Sequence, residues 1–161
     1  MAMVSIDKPH YRPEMTTRTD LNPSPLIASR DDLIAAFAKG EKAKSRWRIG
    51  TEHEKFVYRT ADYRAPSYAE KGGIRDLLMG LTRFGWEPVE EGGNVIALKG
   101  QDGFISLEPA GQLELSGAPL ECLHDTCAET GRHLRQVKAV GDELGLAFLG
   151  LGMWPDKRRD E

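Results

Sequence analysis

The chain has 161 residues, with 22 Lys plus Arg set against 25 Asp plus Glu, a net charge of −3 with neutral His. That is the size of one soluble, slightly acidic domain. A chain of this length buries about 70% of its unfolded surface, so it needs neither metal nor disulfide to fold. The charge balance excludes a general nucleic-acid binder, because no clustered excess of Lys and Arg is present to neutralise a phosphate backbone.

The richest basic run, Lys157-Arg158-Arg159, is followed at once by two acids. No apolar stretch reaches the ~18 residues that a membrane span needs. The N-terminus is interrupted by Pro9, Pro13 and Glu14 and lacks the apolar segment of a secretory signal. These features predict a cytosolic protein that meets no membrane, with its two cysteines, Cys122 and Cys127, kept as reduced thiols.

Residues 1–28 read as a polar arm, since Pro9, Pro13, Pro23 and Pro25 sustain neither a helix interior nor a central strand. Ser29 with Asp32 forms an Asp variant of a capping box, and Leu33, Ile34 and Phe37 follow on one face before Gly40, so a short outer helix is expected. The run from Trp47 to Tyr58 is rich in aromatic and β-branched residues and reads as a strand. Its alternation puts Glu52 and Glu54 on one face, about 6.5–7 Å apart, and turns His53 away.

Ser67 with Glu70 repeats the capping signal, and Ile74, Leu77, Leu78, Leu81 and Phe84 mark a second, amphipathic helix ending at Gly85. Trp86 to Glu90, Val95 to Lys99 and Phe104 to Glu108 read as strands of an antiparallel meander, separated by Gly-rich turns. In the segment Gln112 to Ser116, Glu114 shares a face with Gln112 and Ser116, opposite Leu113 and Leu115. Glu108 likewise faces away from Ile105 and Leu107. Thr126 with Glu129 caps a third helix whose stripe is Cys127, Leu134, Val137, Val140 and Leu144, ended by Gly145, so Cys127 is expected to be buried. Leu146 to Met153 follows as an apolar strand. The fold class predicted is α+β, an antiparallel sheet with helices packed on one face.

Four glutamates, Glu52, Glu54, Glu108 and Glu114, thus fall in strand-like and otherwise apolar surroundings. A carboxylate on the inner face of a sheet is unfavourable unless it is paired or binds metal, so four of them suggest cations. Oxygen-only ligands select hard ions such as Mg²⁺. The competing reading places the same residues on the solvated faces of half-exposed strands. His53 has no second His at metal-ligand spacing, Cys122, His124 and Cys127 lack the spacing of a zinc ribbon or finger, and no Walker loop is present. Arg132 and Arg135 read either as anion-steering groups or as solvated helix positions.

The segments RIGTEHEKF from Arg48 to Phe56, ISLEPAGQLELSGAPLECLHDTC, and HLRQVKAVGDELGLAFLGLGMWP resemble glutamate-cysteine ligase of the plant and proteobacterial type, over roughly residues 47–155. The resemblance implies ATP-dependent formation of γ-glutamylcysteine from glutamate and cysteine, the first step of glutathione synthesis, on a glutamine-synthetase-like sheet. It also implies that Glu52, Glu54, Glu108 and Glu114 are Mg²⁺ ligands, with Glu52 and Glu54 as the catalytic pair, and that ATP is the co-substrate.

Members of that family run far beyond position 161, so residues 29–161 read as the N-terminal part of a ligase catalytic domain. A sheet cut short exposes an edge, which predicts self-association, domain swapping or pairing with a further segment. Three alternatives stay open: a carboxylate-amine ligase with another acceptor, a non-catalytic metal-binding or packing module, and, last, a metal-dependent phosphatase or nuclease.

Overall fold

A computed structural model describes residues 26–101 and 103–155. The chain divides into two compact units, Met1–Lys42 and Ala43–Glu161. Most of the expected arm, residues 1–25, and the basic run at 157–159 lie outside the described residues.

In the first unit, helix α1 spans Arg30–Lys39 and carries the capping box that the sequence signals. Asp32 N–H donates to Ser29 Oγ at 3.1 Å, and Ser29 N–H donates to the Asp32 carboxylate at 2.9 Å. Two of the helix's free amides thereby find acceptors, while none of its residues is buried.

The second unit is α+β, as predicted. Strands β1 (Glu52–Arg59), β2 (Glu87–Glu91), β3 (Asn94–Lys99), β4 (Phe104–Glu108), β5 (Gln112–Ser116) and β6 (Leu146–Leu149) form one sheet in the order β2-β3-β4-β5-β1-β6, antiparallel at every join. Helices α2 (Ile74–Leu81) and α3 (Leu123–Leu144) share one apolar core with the sheet: Leu77, Leu78, Leu81, Val137 and Val140 pack with Leu98, Ile105, Leu113 and Leu115. α2 and α3 approach closely because residue 80 is glycine; a Cβ there would sit 2.6 Å from Val140 Cγ1. No helix among the described residues is long and apolar enough to cross a membrane.

Several boundaries move from their sequence positions, each for a local reason. β1 begins at Glu52 rather than Trp47, because Ile49 instead makes a lone bridge to Leu120. The Ser67–Glu70 pair closes a turn: Ser67 N–H donates to Glu70 at 2.7 Å, and α2 starts seven residues after Ser67, at Ile74. A side chain at Gly73 would collide with the Ser67 carbonyl oxygen, which keeps that turn tight. α3 starts at Leu123, so Thr126 lies inside the helix. Glu129 does not cap it and instead accepts from Ala118 N–H at 2.8 Å. Cys127 and Leu134 are exposed, and His133 takes the buried place, which corrects the predicted stripe. β6 ends at Leu149, four residues short of the expected limit.

The Gly92-Gly93 link joins β2 to β3 with φ of +57° and +80°, the left-handed pair a two-residue hairpin needs. The pairing of β2 with β3 then slips by one residue between Val89 and Glu90. Val95 and Leu98, three positions apart, are both buried as a result.

Candidate active site

The helices cover one face of the sheet, and the glutamates stand on the other. The register fixes their arrangement. Glu54 in β1 lies directly opposite Glu114 in β5, which in turn lies opposite Ser106 in β4. One row along, Glu108 pairs with Gln112, which pairs with Phe56. One row the other way, Phe104 pairs with Ser116, which pairs with Glu52. Glu114 is therefore central, with Glu54 across from it and Glu108 and Glu52 diagonal to it. Directly opposed residues on an antiparallel pair have Cβ atoms about 4.5–5.5 Å apart and diagonal ones about 7–8 Å.

Their surroundings differ. Glu114 is buried at 8% exposure and accepts a 2.6 Å hydrogen bond from Ser116 Oγ. Glu54 is exposed and accepts from Gln112 Nε2 at 3.3 Å; the same amide also donates to the Leu151 carbonyl at 3.1 Å. Glu108 is half-buried. Burial pushes its carboxyl above the ordinary range, and the charges of Glu114 and Glu54 and a hydrogen bond with Glu114 push the same way. Glu52 is exposed at the start of β1. The four side chains share a face without closing on one point: among the described residues, no three His, Cys, Asp or Glu groups are arranged to enclose a metal ion.

Sequence reasoning missed Lys55 and His133. Lys55 alternates with Glu54 and so points to the helix face, where it is 1% exposed in a row with Leu113 and Leu107. Its Nζ donates to the His53 carbonyl at 2.8 Å, to the Leu113 carbonyl at 3.1 Å and to His133 Nε2 at 2.9 Å. Burial holds its pKa down to about 8, against the pull of the Glu114 and Glu54 charges. His133 is held down to about 3 by burial, then by Lys55 and His53. It is a neutral acceptor at Nε2, with the proton on an Nδ1 that has no partner. His53 stands edge-on to His133 at 6.4 Å, away from the glutamates, as alternation requires. The signals were present: a lysine at a core-facing strand position, and a histidine four residues before Val137 on the buried stripe. Arg132 and Arg135 lie exposed on α3, on the side of the sheet away from the glutamates.

The model of glutamate-cysteine ligase family 2 matches residues 48–161, the stretch that holds all four glutamates. The chain belongs to this family. Over 134 residues it is 53% identical to a chloroplastic glutamate-cysteine ligase of Brassica juncea, covering 83% of this chain and 26% of that protein. The corresponding ligase of Nicotiana tabacum is 54% identical over 128 residues, 79% of this chain and 24% of the other, and that of Arabidopsis thaliana is 53% identical over 134 residues, 83% and 25%. This family member thus spans about a quarter of the length of the relatives it matches.

These relatives are named chloroplastic, and that overturns the expectation of a cytosolic protein. The expectation rested on the lack of an apolar secretory segment. Plastid addressing does not use one, since transit peptides are amphipathic, rich in Ser and Arg, and poor in acids.

Proposed function

We propose that this chain supplies the acidic, cation-binding face of an ATP-dependent glutamate-cysteine ligase, with residues 29–161 forming part of its catalytic domain on a glutamine-synthetase-like sheet. The observation that carries the reading is Glu114 at the centre of the open face with Glu54, Glu52 and Glu108 around it; burial, and after it the charges of Glu114 and Glu54, push the Glu108 carboxyl above its ordinary range. The donor set is oxygen only, which fits Mg²⁺, an ion that joins a few carboxylates to the phosphates of a nucleotide.

On this reading Glu52, Glu54, Glu108 and Glu114 hold Mg²⁺, and Glu52 and Glu54 carry the catalytic role on the exposed side of β1. Held by these carboxylates, Mg²⁺ would supply charge neutralisation at phosphate oxygens during phosphoryl transfer. Ser116 fixes the Glu114 carboxylate through its 2.6 Å hydrogen bond, and Gln112 restrains Glu54, so both groups are set before substrate arrives. The γ-carboxylate of glutamate would attack the γ-phosphate of ATP, releasing ADP and forming an acyl phosphate, and the amine of cysteine would then displace phosphate from the acyl carbon, forming the amide and giving up a proton. The sheet's edge strands, β2 and β6, are the places where further strands, or a second copy of the chain, would add.

The test has two parts. Mn²⁺ titration reads cation binding by the chain and by Glu114→Gln, and coupled ATP turnover with glutamate and cysteine reads γ-glutamylcysteine formation. Cation binding that Glu114→Gln does not weaken would remove the basis of the proposal.

A further inference from the structure

The acidic face has a counterpart on the other side of the sheet. Lys55 follows Glu54 in β1 and pairs with Leu113, the residue before Glu114 in β5. Its ammonium meets three acceptors, one each from β1, β5 and α3, so every N–H it carries is used and the group is fixed in place. At 1% exposure, water does not screen it. Among the described residues no salt bridge reaches Glu54 or Glu114 on the open face. The charge of Lys55, on the opposite face of the sheet, is coupled to both Glu114 and Glu54.

We propose that Lys55 is a positioning residue for the acidic face: its buried ammonium is a built-in counter-charge that lets Glu54 and Glu114 stand side by side without a cation and weakens their hold on the cation that arrives. The inference rests on the reading of that face as a divalent-cation site. Affinity is the difference between the empty and occupied states, and a fixed positive charge stabilises the first while it opposes the second. A face balanced in this way exchanges its cation readily instead of keeping it between turnovers.

Mn²⁺ alone is the probe, titrated into the chain and followed by its electron paramagnetic resonance signal, with the fold of each variant checked by circular dichroism. Lys55→Met removes the charge at similar side-chain length and is expected to bind Mn²⁺ about tenfold more tightly, through loss of the Coulomb repulsion across the sheet. Lys55→Arg keeps the charge and is expected to stay closer to wild type. A folded Lys55→Met that binds Mn²⁺ equally or more weakly overturns the proposal, since that is the result of a merely structural role.

Glu54→Gln separates the two ideas. If it binds more weakly than wild type while Lys55→Met gains nothing, the counter-charge alone is wrong; if it binds as wild type does, the cation-site reading fails and takes this proposal with it. Lys55→Gln replaces the Met variant should the latter not fold. If neither uncharged variant folds while Lys55→Arg does, Lys55 is a folding residue and the proposal is overturned.

Discussion

His133 Nε2 accepts a 2.9 Å hydrogen bond from Lys55 Nζ, and the two side chains, 78 positions apart in the chain, are both sealed from solvent. The acceptor role requires a neutral imidazole, because a protonated ring would put two cations in contact.

That requirement makes the fold sensitive to acid. His133 has its pKa held down to about 3 by burial, Lys55 and His53, against an ordinary value of 6.5. Between those values the unfolded chain binds a proton that the folded chain does not, so stability is full above pH 6.5 and falls as the pH drops toward about 3. About 2 kcal/mol is lost between pH 6.5 and 5 from this group. Denaturant titrations at the two pH values measure it, and His133→Gln should flatten the slope.

Glu54→Gln and Glu114→Gln leave the core untouched, since both side chains lie on the open face of the sheet. On the proposed reading of that face as the ligase's cation site, the expected outcome is a loss of ligase turnover of about a hundredfold or more, with a near-wild-type melting curve. Wild-type turnover in Glu54→Gln would show that the carboxylate is a solvated surface group.

Leu98 and Leu113 are fully buried in the one core that joins the sheet to α2 and α3. Truncation of either to Ala should destabilise by about 2–5 kcal/mol, read as a lowered denaturant midpoint. Gly80→Ala acts by crowding: the added methyl meets Val140, itself buried, and a loss of about 1–3 kcal/mol is expected.

Arg83 holds Glu143 through two hydrogen bonds of 2.7 and 2.8 Å, linking the 3₁₀ turn that follows α2 to α3. Both side chains are well exposed, at 42% and 59%, so water screens the pair. Arg83→Ala should leave the denaturant midpoint close to wild type, in contrast to the core truncations. A larger effect in a double-mutant cycle with Glu143→Ala would mean that the bridge orients the helices.

Much of this architecture is legible along the chain, because it depends on neighbours. The Ser29–Asp32 cap, the Ile74–Leu81 stripe and the strands at residues 94–99, 104–108 and 112–116 stand where local periodicity puts them. Alternation alone turns Glu54 and Glu114 away from Leu113 and Leu115, and the motifs that carry the family resemblance are contiguous in sequence. Where local signals had two possible uses, they misled. Glu70 and Glu129 serve loop amides at Ser67 and Ala118 rather than helix starts, and the slip at Val89 broke the period of two that would have separated Val95 from Leu98.

The sequence by itself determined which residues share a face and which family the chain resembles, since a strand's pleat and a helix's turn are set within a few residues. Only the tertiary structure decided that β5 lies between β4 and β1, which makes Glu114 the centre of the acidic face, and that Lys55 meets His133 behind it. Those facts depend on which distant segments pair. Pairing is settled by the burial of a whole face at once, a property that no single segment carries.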